Sequence, residues 1–319
     1  MSRVKVFRVI KPGLFTTVQD LGRCGLQRYG VPVSGAMDTF SMIAANLLVL
    51  NQSGDACLEI TLLGPELEVL NDTQIAITGA DLSPTLNGQS VPMWRTLNVS
   101  KGDIISFGET RAGCRAYLAV AGGINVPVVL GSRSTFVRGG FGGFEGRPLK
   151  TWDVIEASEP PSPFKAKLSM PEDLIPHYEN KLTVNVVLGP QVDVFTDKGI
   201  ETFLSSTYTV TTEADRMGYR LEGPVIEHKV SPSIISDAIP SGAVQVPEDG
   251  LPIIMMVDAQ TTGGYAKIAV VTTPDLSRLG QVKPNDTVRF SGISMSQARL
   301  RLLEYQRALS LMETRVLQG

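Results

Sequence analysis

Apolar and β-branched residues come along this chain in short bursts, about one every ten residues, with Gly, Pro, Asn and Asp between them. In the first half the bursts fall at 67–70, 74–78, 104–107 and 114–120. In the second half they fall at 182–187, 208–211, 253–257, 268–271 and 287–290. This rhythm predicts strands, and strands so short and so frequent predict barrels or sandwiches. Helical spacing is scarce. One candidate is 36–50, with Met37, Phe40, Ile43, Ala44, Leu47 and Leu48 on one face; Ser34 is its expected N-cap and Asp38 lies in its expected first turn. The other is 294–311, with Met295, Ala298, Leu302, Tyr305 and Leu309 in register, expected to pack on its own domain.

Two features divide the chain. The stretch 159–176 contains Pro160, Pro161, Pro163, Pro171 and Pro176, too many for a central strand or helix. It reads as a linker. A weak internal repeat flanks it: Leu58-Glu59-Ile60-Thr61-Leu62-Leu63-Gly64-Pro65-Glu66-Leu67-Glu68 resembles Arg220-Leu221-Glu222-Gly223-Pro224-Val225-Ile226-Glu227, and Val99-Ser100-Lys101-Gly102-Asp103-Ile104 resembles Val282-Lys283-Pro284-Asn285-Asp286-Thr287. The expectation is two similar β-domains, 1–158 and 182–319, joined by a Pro-rich linker over 159–181, with a cleft between them of the kind that holds small molecules.

With 319 residues the chain is long enough for two cores, and 43% hydrophobic against 19% charged residues is an ordinary globular balance. A net charge of -3, without a basic run, gives no footprint for nucleic acid or an anionic membrane. The charged start, Met1-Ser2-Arg3-Val4-Lys5, has no signal-peptide core, and the apolar run 253–257 is far too short to span a bilayer. Three cysteines, Cys24, Cys57 and Cys114, make an odd count at no metal-type spacing, which fits reduced thiols and a cytoplasmic setting. The two histidines, His177 and His228, have no ligand-spaced neighbours, so neither a metal site nor a Ser-His-Asp triad is expected.

The chain lacks a G-x-x-x-x-G-K-[ST] loop, so no cofactor is bound by a recognisable motif. Its glycine-rich run, Gly139-Gly140-Phe141-Gly142-Gly143-Phe144-Glu145-Gly146-Arg147, reads first as a mobile loop and second as a lid. Three other stretches crowd polar residues between glycines. Gln19, Asp20 and Arg23 are either a solvated turn or an amide, an acid and a guanidinium set for a small polar ligand. Arg216 and Arg220, four apart, suit a carboxylate-like anion or else a salt-bridged turn with Glu213 and Asp215. Asp258, Gln260, Thr261 and Thr262, followed by Gly263-Gly264, follow an apolar strand and could build a nest of donors for an oxyanion; Lys267 just beyond is either a charge aimed at that site or a strand-edge lysine facing water.

Several motifs in series carry a resemblance. Thr17-Val18-Gln19-Asp20-Leu21-Gly22-Arg23, Gly30-Val31-Pro32-Val33-Ser34-Gly35-Ala36-Met37-Asp38, Ile77-Thr78-Gly79-Ala80-Asp81, Leu130-Gly131-Ser132-Arg133-Ser134-Thr135 and Asp258-Ala259-Gln260-Thr261-Thr262-Gly263-Gly264-Tyr265 resemble the biotin-dependent carboxyltransferase / allophanate hydrolase subunit 2 family over about residues 4–292. The resemblance implies a mainly β fold of two cyclophilin-like β-barrel domains with a few short helices and a C-terminal helix. It implies one of three roles. The first is the C subunit of an ATP-using complex that works with 5-oxoprolinase subunits A and B to open a small cyclic amide, 5-oxoproline, to L-glutamate. The second is a carboxyltransferase taking its carboxyl group from a biotin carrier to urea or a related amide. The third is a non-catalytic regulator binding a kinase-inhibitor-like partner. The stand-alone length and the lack of a biotin-carrier segment favour the first. Carried over by motif, Asp20 and Lys267 are the expected substrate-polarising groups, lined by Gln19, Arg23, Gln245, Gln260 and Tyr265. Ala266 stands where the family pattern has proline, which would loosen the approach to Lys267.

Overall fold

A computed structural model describes residues 3–159 and 167–318. The chain forms two compact units that are not contiguous in sequence: Met1–Arg23, Ser34–Tyr178 and Ala308–Gly319 make the first, Cys24–Val33 and Glu179–Arg307 the second. The fold is mainly β, with four helices among the described residues.

The strands of the first unit are β1 (Arg3–Lys11), β2 (Phe15–Gln19), β3 (Cys57–Thr61), β4 (Glu66–Val69), β5 (Thr73–Asp81), β6 (Thr85–Leu86), β7 (Gln89–Ser90), β8 (Thr96–Val99), β9 (Ile104–Ser106), β10 (Ala112–Val120) and β11 (Val154–Ser158), with helix α1 (Thr39–Leu48) between β2 and β3. They form a six-stranded sheet, β11-β1-β4-β9-β6-β7, and a five-stranded sheet, β2-β3-β10-β5-β8. Phe7, Leu67 and Ile105 from one sheet meet Leu58, Ile77 and Leu118 from the other in a single core. The five-stranded sheet is covered on its second face as well, where Cys57, Ala76, Tyr117 and Ala119 pack with Met42, Leu47 and Leu48 of α1. Burial on both faces explains why β5 and β10 read as almost unbroken runs rather than alternating ones.

The second unit contains β12 (Lys181–Leu188), α2 (Asp197–Ser205), β13 (Thr207–Val210), β14 (Gly218–Glu222), β15 (Ser233–Ala238), β16 (Ala243–Gln245), β17 (Ile253–Met255), β18 (Thr262–Tyr265), β19 (Lys267–Val271), α3 (Thr273–Leu279) and β20 (Thr287–Gly292). Seven of its strands close into a barrel, β12-β19-β16-β17-β14-β13-β20, completed by the parallel pairing of β12 with β20. Closure leaves these strands no open edge. β15 and β18 stay outside the barrel as a two-stranded ribbon. The last helix, α4 (Met295–Gln318), runs further than the expected 294–311, and its Met312 and Val316 are buried in the first unit's second cluster.

One part of the weak repeat, 99–104 against 282–287, is reproduced at the level of atoms. In 100–103, Asp103 N–H donates to Ser100 O (3.0 Å) while its Oδ2 accepts from Ser100 N (2.7 Å). In 283–286, Asp286 N–H donates to Lys283 O (3.1 Å) and its Oδ2 accepts from Lys283 N (3.1 Å). Each turn then exchanges two backbone hydrogen bonds with the end of an earlier strand, at Val69 and at Val210. The residue before each aspartate is left-handed, Gly102 (φ 92°) and Asn285 (φ 72°), both residue types that tolerate it. A third copy, unnoticed in the sequence, occupies Lys150-Thr151-Trp152-Asp153 with Val9 as its partner.

Part of the Pro-rich stretch, residues 160–166, lies outside the described residues. Beyond it, 167–178 is seated on the first unit: Met170 is buried, Thr96 N–H bonds Leu168 O (2.9 Å), and the Tyr178 hydroxyl reaches Ser41 Oγ (3.0 Å).

Candidate functional site

In the first unit three of the resembling motifs, 17–23, 30–38 and 130–135, converge on Asp20. It follows β2, and its carboxylate accepts from Gly22 N (2.8 Å), Ser132 Oγ (2.6 Å), Arg133 N (2.5 Å) and the Ser134 hydroxyl. Its own N–H donates to Ser134 Oγ (3.1 Å), and its carbonyl accepts from Ala36 N (2.9 Å). A carboxylate offers about four acceptor sites. Asp20 has four donors, so it is a staple for the 22, 34–36 and 132–134 loops rather than an open acid. Gln19 is buried and turns back on its own strand, donating to Thr17 Oγ1 (3.0 Å) and Thr135 O (3.3 Å). Arg23 is buried, donates to Ser134 O and lies 5.0 Å from the Phe141 ring centroid.

The glycine-rich run packs against this cluster. Phe136 and Phe141 exchange backbone hydrogen bonds across it, and Gly146 N–H bonds Gly142 O (2.8 Å). A Cβ on Gly142 would lie 2.1 Å from Ser134 O and 2.7 Å from the Arg23 guanidinium. Only glycine fits there.

The helix cap also differs from expectation. Ser34 is a buried, left-handed residue (φ 55°), and Asp38 is the N-cap of α1, its Oδ1 accepting from Ser41 N (3.0 Å). Asp38 N–H in turn donates to the Tyr117 hydroxyl (2.8 Å), which donates to Glu59 Oε2 (2.8 Å); Glu59 also accepts from Met37 N (2.8 Å) and lies 3.8 Å from Arg115. Burial, then the charges of Glu59 and Asp38, push the Tyr117 hydroxyl well above its ordinary pKa, which keeps it a neutral donor to Glu59. Burial does the same to Tyr178 and to the Cys57 thiol, which is therefore unreactive. Glu59, Arg115 and Tyr117 escaped the sequence reading. The available signal was a lone glutamate inside the apolar run Cys57-Leu58-Glu59-Ile60.

The second unit holds a different site. Lys267 opens β19 and is paired in register with Gln245 of β16. Its side chain is 3% exposed, and Nζ donates to Asp237 Oδ2 at 2.8 Å. Asp237 lies on the ribbon strand β15 and is 49% exposed. Gln191 ties the pair together: its Oε1 accepts from Lys267 N (3.2 Å) and its Nε2 donates to Asp237 Oδ2 (3.3 Å). The hydrogen bond from Lys267, then the Ala238 amide and the Lys267 charge, hold the Asp237 carboxyl below its ordinary range. Gln245 is buried and donates to Tyr265 O (3.2 Å), closing the barrel against the ribbon. Lys267 is thus a buried, paired ammonium, not a strand-edge lysine in water.

The remaining expected residues divide. Tyr265 and Thr262 are exposed on β18, beside this site in sequence and strand; Gln260 is exposed and Thr261 half-buried in the turn before it. Asp258 does not join an oxyanion nest. It makes a buried two-point contact with Arg216 (2.8 and 3.3 Å), and its N–H returns to Arg216 O (2.9 Å). Arg220 is exposed, 3.0 Å from Glu213, on an open groove of about 280 Å³ shared with Thr211, Leu251 and Pro252. The two arginines therefore serve separate partners and do not form a joint anion clamp. Ala266 does not loosen the approach to Lys267, since its N–H donates to Pro232 O (2.9 Å), a bond proline could not make. Among the described residues no cluster could hold a metal ion, and His228 packs on Phe195. Among the described residues Cys24, Cys57 and Cys114 form no disulfide, and no helix is long and apolar enough to cross a membrane.

The model of the family described as carboxyltransferase domain, subdomain A and B, matches residues 29–292, which include the second-unit site whole. The chain belongs to the carboxyltransferase-domain family. This carboxyltransferase-domain chain is 38% identical over 314 residues to a urea amidolyase of Lachancea kluyveri, a match covering 92% of the chain and only 17% of that relative. It is 34% identical over 293 residues to the C subunit of 5-oxoprolinase from Escherichia coli, covering 92% of the chain and 93% of the relative. The crystal structure of K. lactis urea amidolyase superimposes on 98% of the chain, and on 20% of that protein, with a TM-score of 0.92 at 35% identity.

Proposed function

We propose that this chain is the C subunit of an ATP-dependent 5-oxoprolinase, and that Lys267 polarises the amide carbonyl of the substrate. The observation that carries the chemistry is the buried Lys267 ammonium. It has three N–H donors, and among the described residues one acceptor, Asp237, lies at hydrogen-bond distance of Nζ. A desolvated, preoriented cation of this kind stabilises charge developing on an amide oxygen far better than a solvated one. The choice of a cyclic amide is supported by the E. coli relative, which the match covers almost end to end.

ATP would be bound and spent by partner subunits of the A and B type, as this chain has no phosphate-loop motif. Asp20, with its acceptor sites filled, takes a positioning role in this reading. The test is to purify the chain alone and with its co-purifying partners and to measure ATP-dependent glutamate release from 5-oxoproline. Release by the assembly and almost none by the chain alone is expected. Robust turnover by the isolated chain, or none by any assembly, defeats the reading.

A second reading has its own support. The urea amidolyase relative is the more similar in sequence, and the family model is that of a carboxyltransferase. A paired lysine on an amide oxygen serves carboxyl transfer to urea equally well. Carboxylation of urea in the presence of a biotin carrier, without glutamate release, selects it.

A further inference from the structure

Lys267 and Asp237 form a pair of unusual asymmetry. The cation is inside, 3% exposed, while its counter-ion stands half in water on a ribbon whose strands do not pair with those of the barrel. The ribbon has a register shift of two residues between Ser233 and Asp237, which turns Ile235 outward to 94% exposure and sets Asp237 opposite Gly263. A side chain on Gly263 would collide with Ile239 (2.5 Å) and crowd the Gln245 amide (3.0 Å), so the backbone comes close at this point. The bulge therefore places the carboxylate over the lysine. The other hydrogen-bond partners of the pair's charged atoms among the described residues, Gln191 and the Ala238 amide, are uncharged.

The charges cancel locally, while the ammonium keeps donor capacity that Asp237 does not use. A neutral carbonyl oxygen approaching Nζ meets donors without net repulsion. A carboxylate approaching the same atom comes within a few ångströms of Asp237, and a like charge so close disfavours it. We infer that Asp237 is a specificity-determining residue: with it in place, the Lys267 site accepts a neutral amide carbonyl and turns carboxylates away. This rests on the reading above that Lys267 meets the substrate. It adds that a substrate carrying both groups, such as 5-oxoproline, presents its lactam oxygen to Lys267 and its carboxylate elsewhere. The low pKa of Asp237 agrees, since the counter-charge then persists through the neutral range.

The test uses the full chain labelled with ¹⁵N-lysine, following the Lys267 ammonium signal, identified by its loss in Lys267→Arg. The probes are 2-pyrrolidinone, a neutral lactam, and acetate, a bare carboxylate. In the parent the lactam is expected to shift the signal and acetate at equal concentration to leave it in place. In Asp237→Asn acetate should bind at least tenfold more tightly than in the parent, and Asp237→Glu should restore the parent preference. The inference is overturned if acetate moves the parent signal as much as the lactam does, if the asparagine variant gains no acetate binding, or if no probe moves the signal. The parent comparison stands even where Asp237→Asn fails to fold. No partner subunit is needed, so an assembly that releases no glutamate defeats the proposed function and leaves this comparison intact.

Discussion

The Ser132 hydroxyl donates to Asp20 Oδ1 at 2.6 Å across 112 residues of chain. With the Ser134 hydroxyl and the Arg133 amide on the same carboxylate, this contact fixes a loop that also positions Arg23. Asp20→Asn replaces one acceptor with a donor and leaves at least one buried partner unbonded. Lost hydrogen bonds to a charged group cost about 1.5–3 kcal/mol. Urea unfolding should show a lower midpoint at unchanged slope. Should the variant be as stable as the parent while the assembly loses activity, Asp20 acts on the substrate and not on the loops.

Lys267→Ala tests the other site without the same risk to the fold. Asp237 is half exposed, so water takes up the carboxylate when its partner is removed. In the proposed reaction, however, the transition state would lose the Lys267 cation. Removal of an oxyanion-type contact costs about 2.7–4 kcal/mol, so glutamate release by the assembled complex should fall at least tenfold while circular dichroism is unchanged. Parent-level activity would remove Lys267 from the chemistry.

What the sequence revealed and what it hid follow from how local each signal is. The run Cys114 to Val120 carries its own β-pattern and lies within β10, and the polar turns at 100–103 and 283–286 announce themselves by short-range chemistry. Thr85–Leu86 and Gln89–Ser90 are strands of two residues, too short to leave a period. Lys267 was legible through its motif, but Asp237 was not. It sits in Ser233-Ile234-Ile235-Ser236-Asp237, where only the register shift of the ribbon decides which side chain meets the lysine. Glu59 was hidden for another reason: β3 is buried on both faces, so alternation could not separate an inward charge from an outward one. Arg216 and Arg220 misled because spacing along a chain does not report direction. One is sealed against Asp258, the other open to water.

The third copy of the aspartate turn carries a conflict. Trp152 occupies the left-handed position (φ 75°) that Gly102 and Asn285 fill in the other two, and it is 71% exposed. Left-handed backbone costs a bulky residue about 1–2 kcal/mol, and an exposed ring recovers little of it by burial. Trp152→Asn should therefore stabilise the chain by about 1 kcal/mol, read as a rise in thermal midpoint. An unchanged or lower midpoint would mean that the indole makes contacts that outweigh the strain.

The same turn sets a pH dependence. Burial works to raise the Asp153 pKa. The Arg147 hydrogen bond, the Lys150 amide and the charges of both residues outweigh it and bring the carboxyl below its ordinary value of 3.8. The unfolded chain then takes up this proton at a higher pH than the folded one. Stability from Asp153 is complete above the unfolded value, near pH 4, and is lost as pH falls through the folded value. Asp153→Asn removes the titrating group, so its urea midpoint should fall less steeply than the parent's as the pH drops below about 4. Arg147→Gln should flatten the same limb, because Arg147 donates to both Asp153 oxygens (2.7 and 3.0 Å). Parallel slopes in parent and Asp153→Asn would assign the acid sensitivity to other carboxylates.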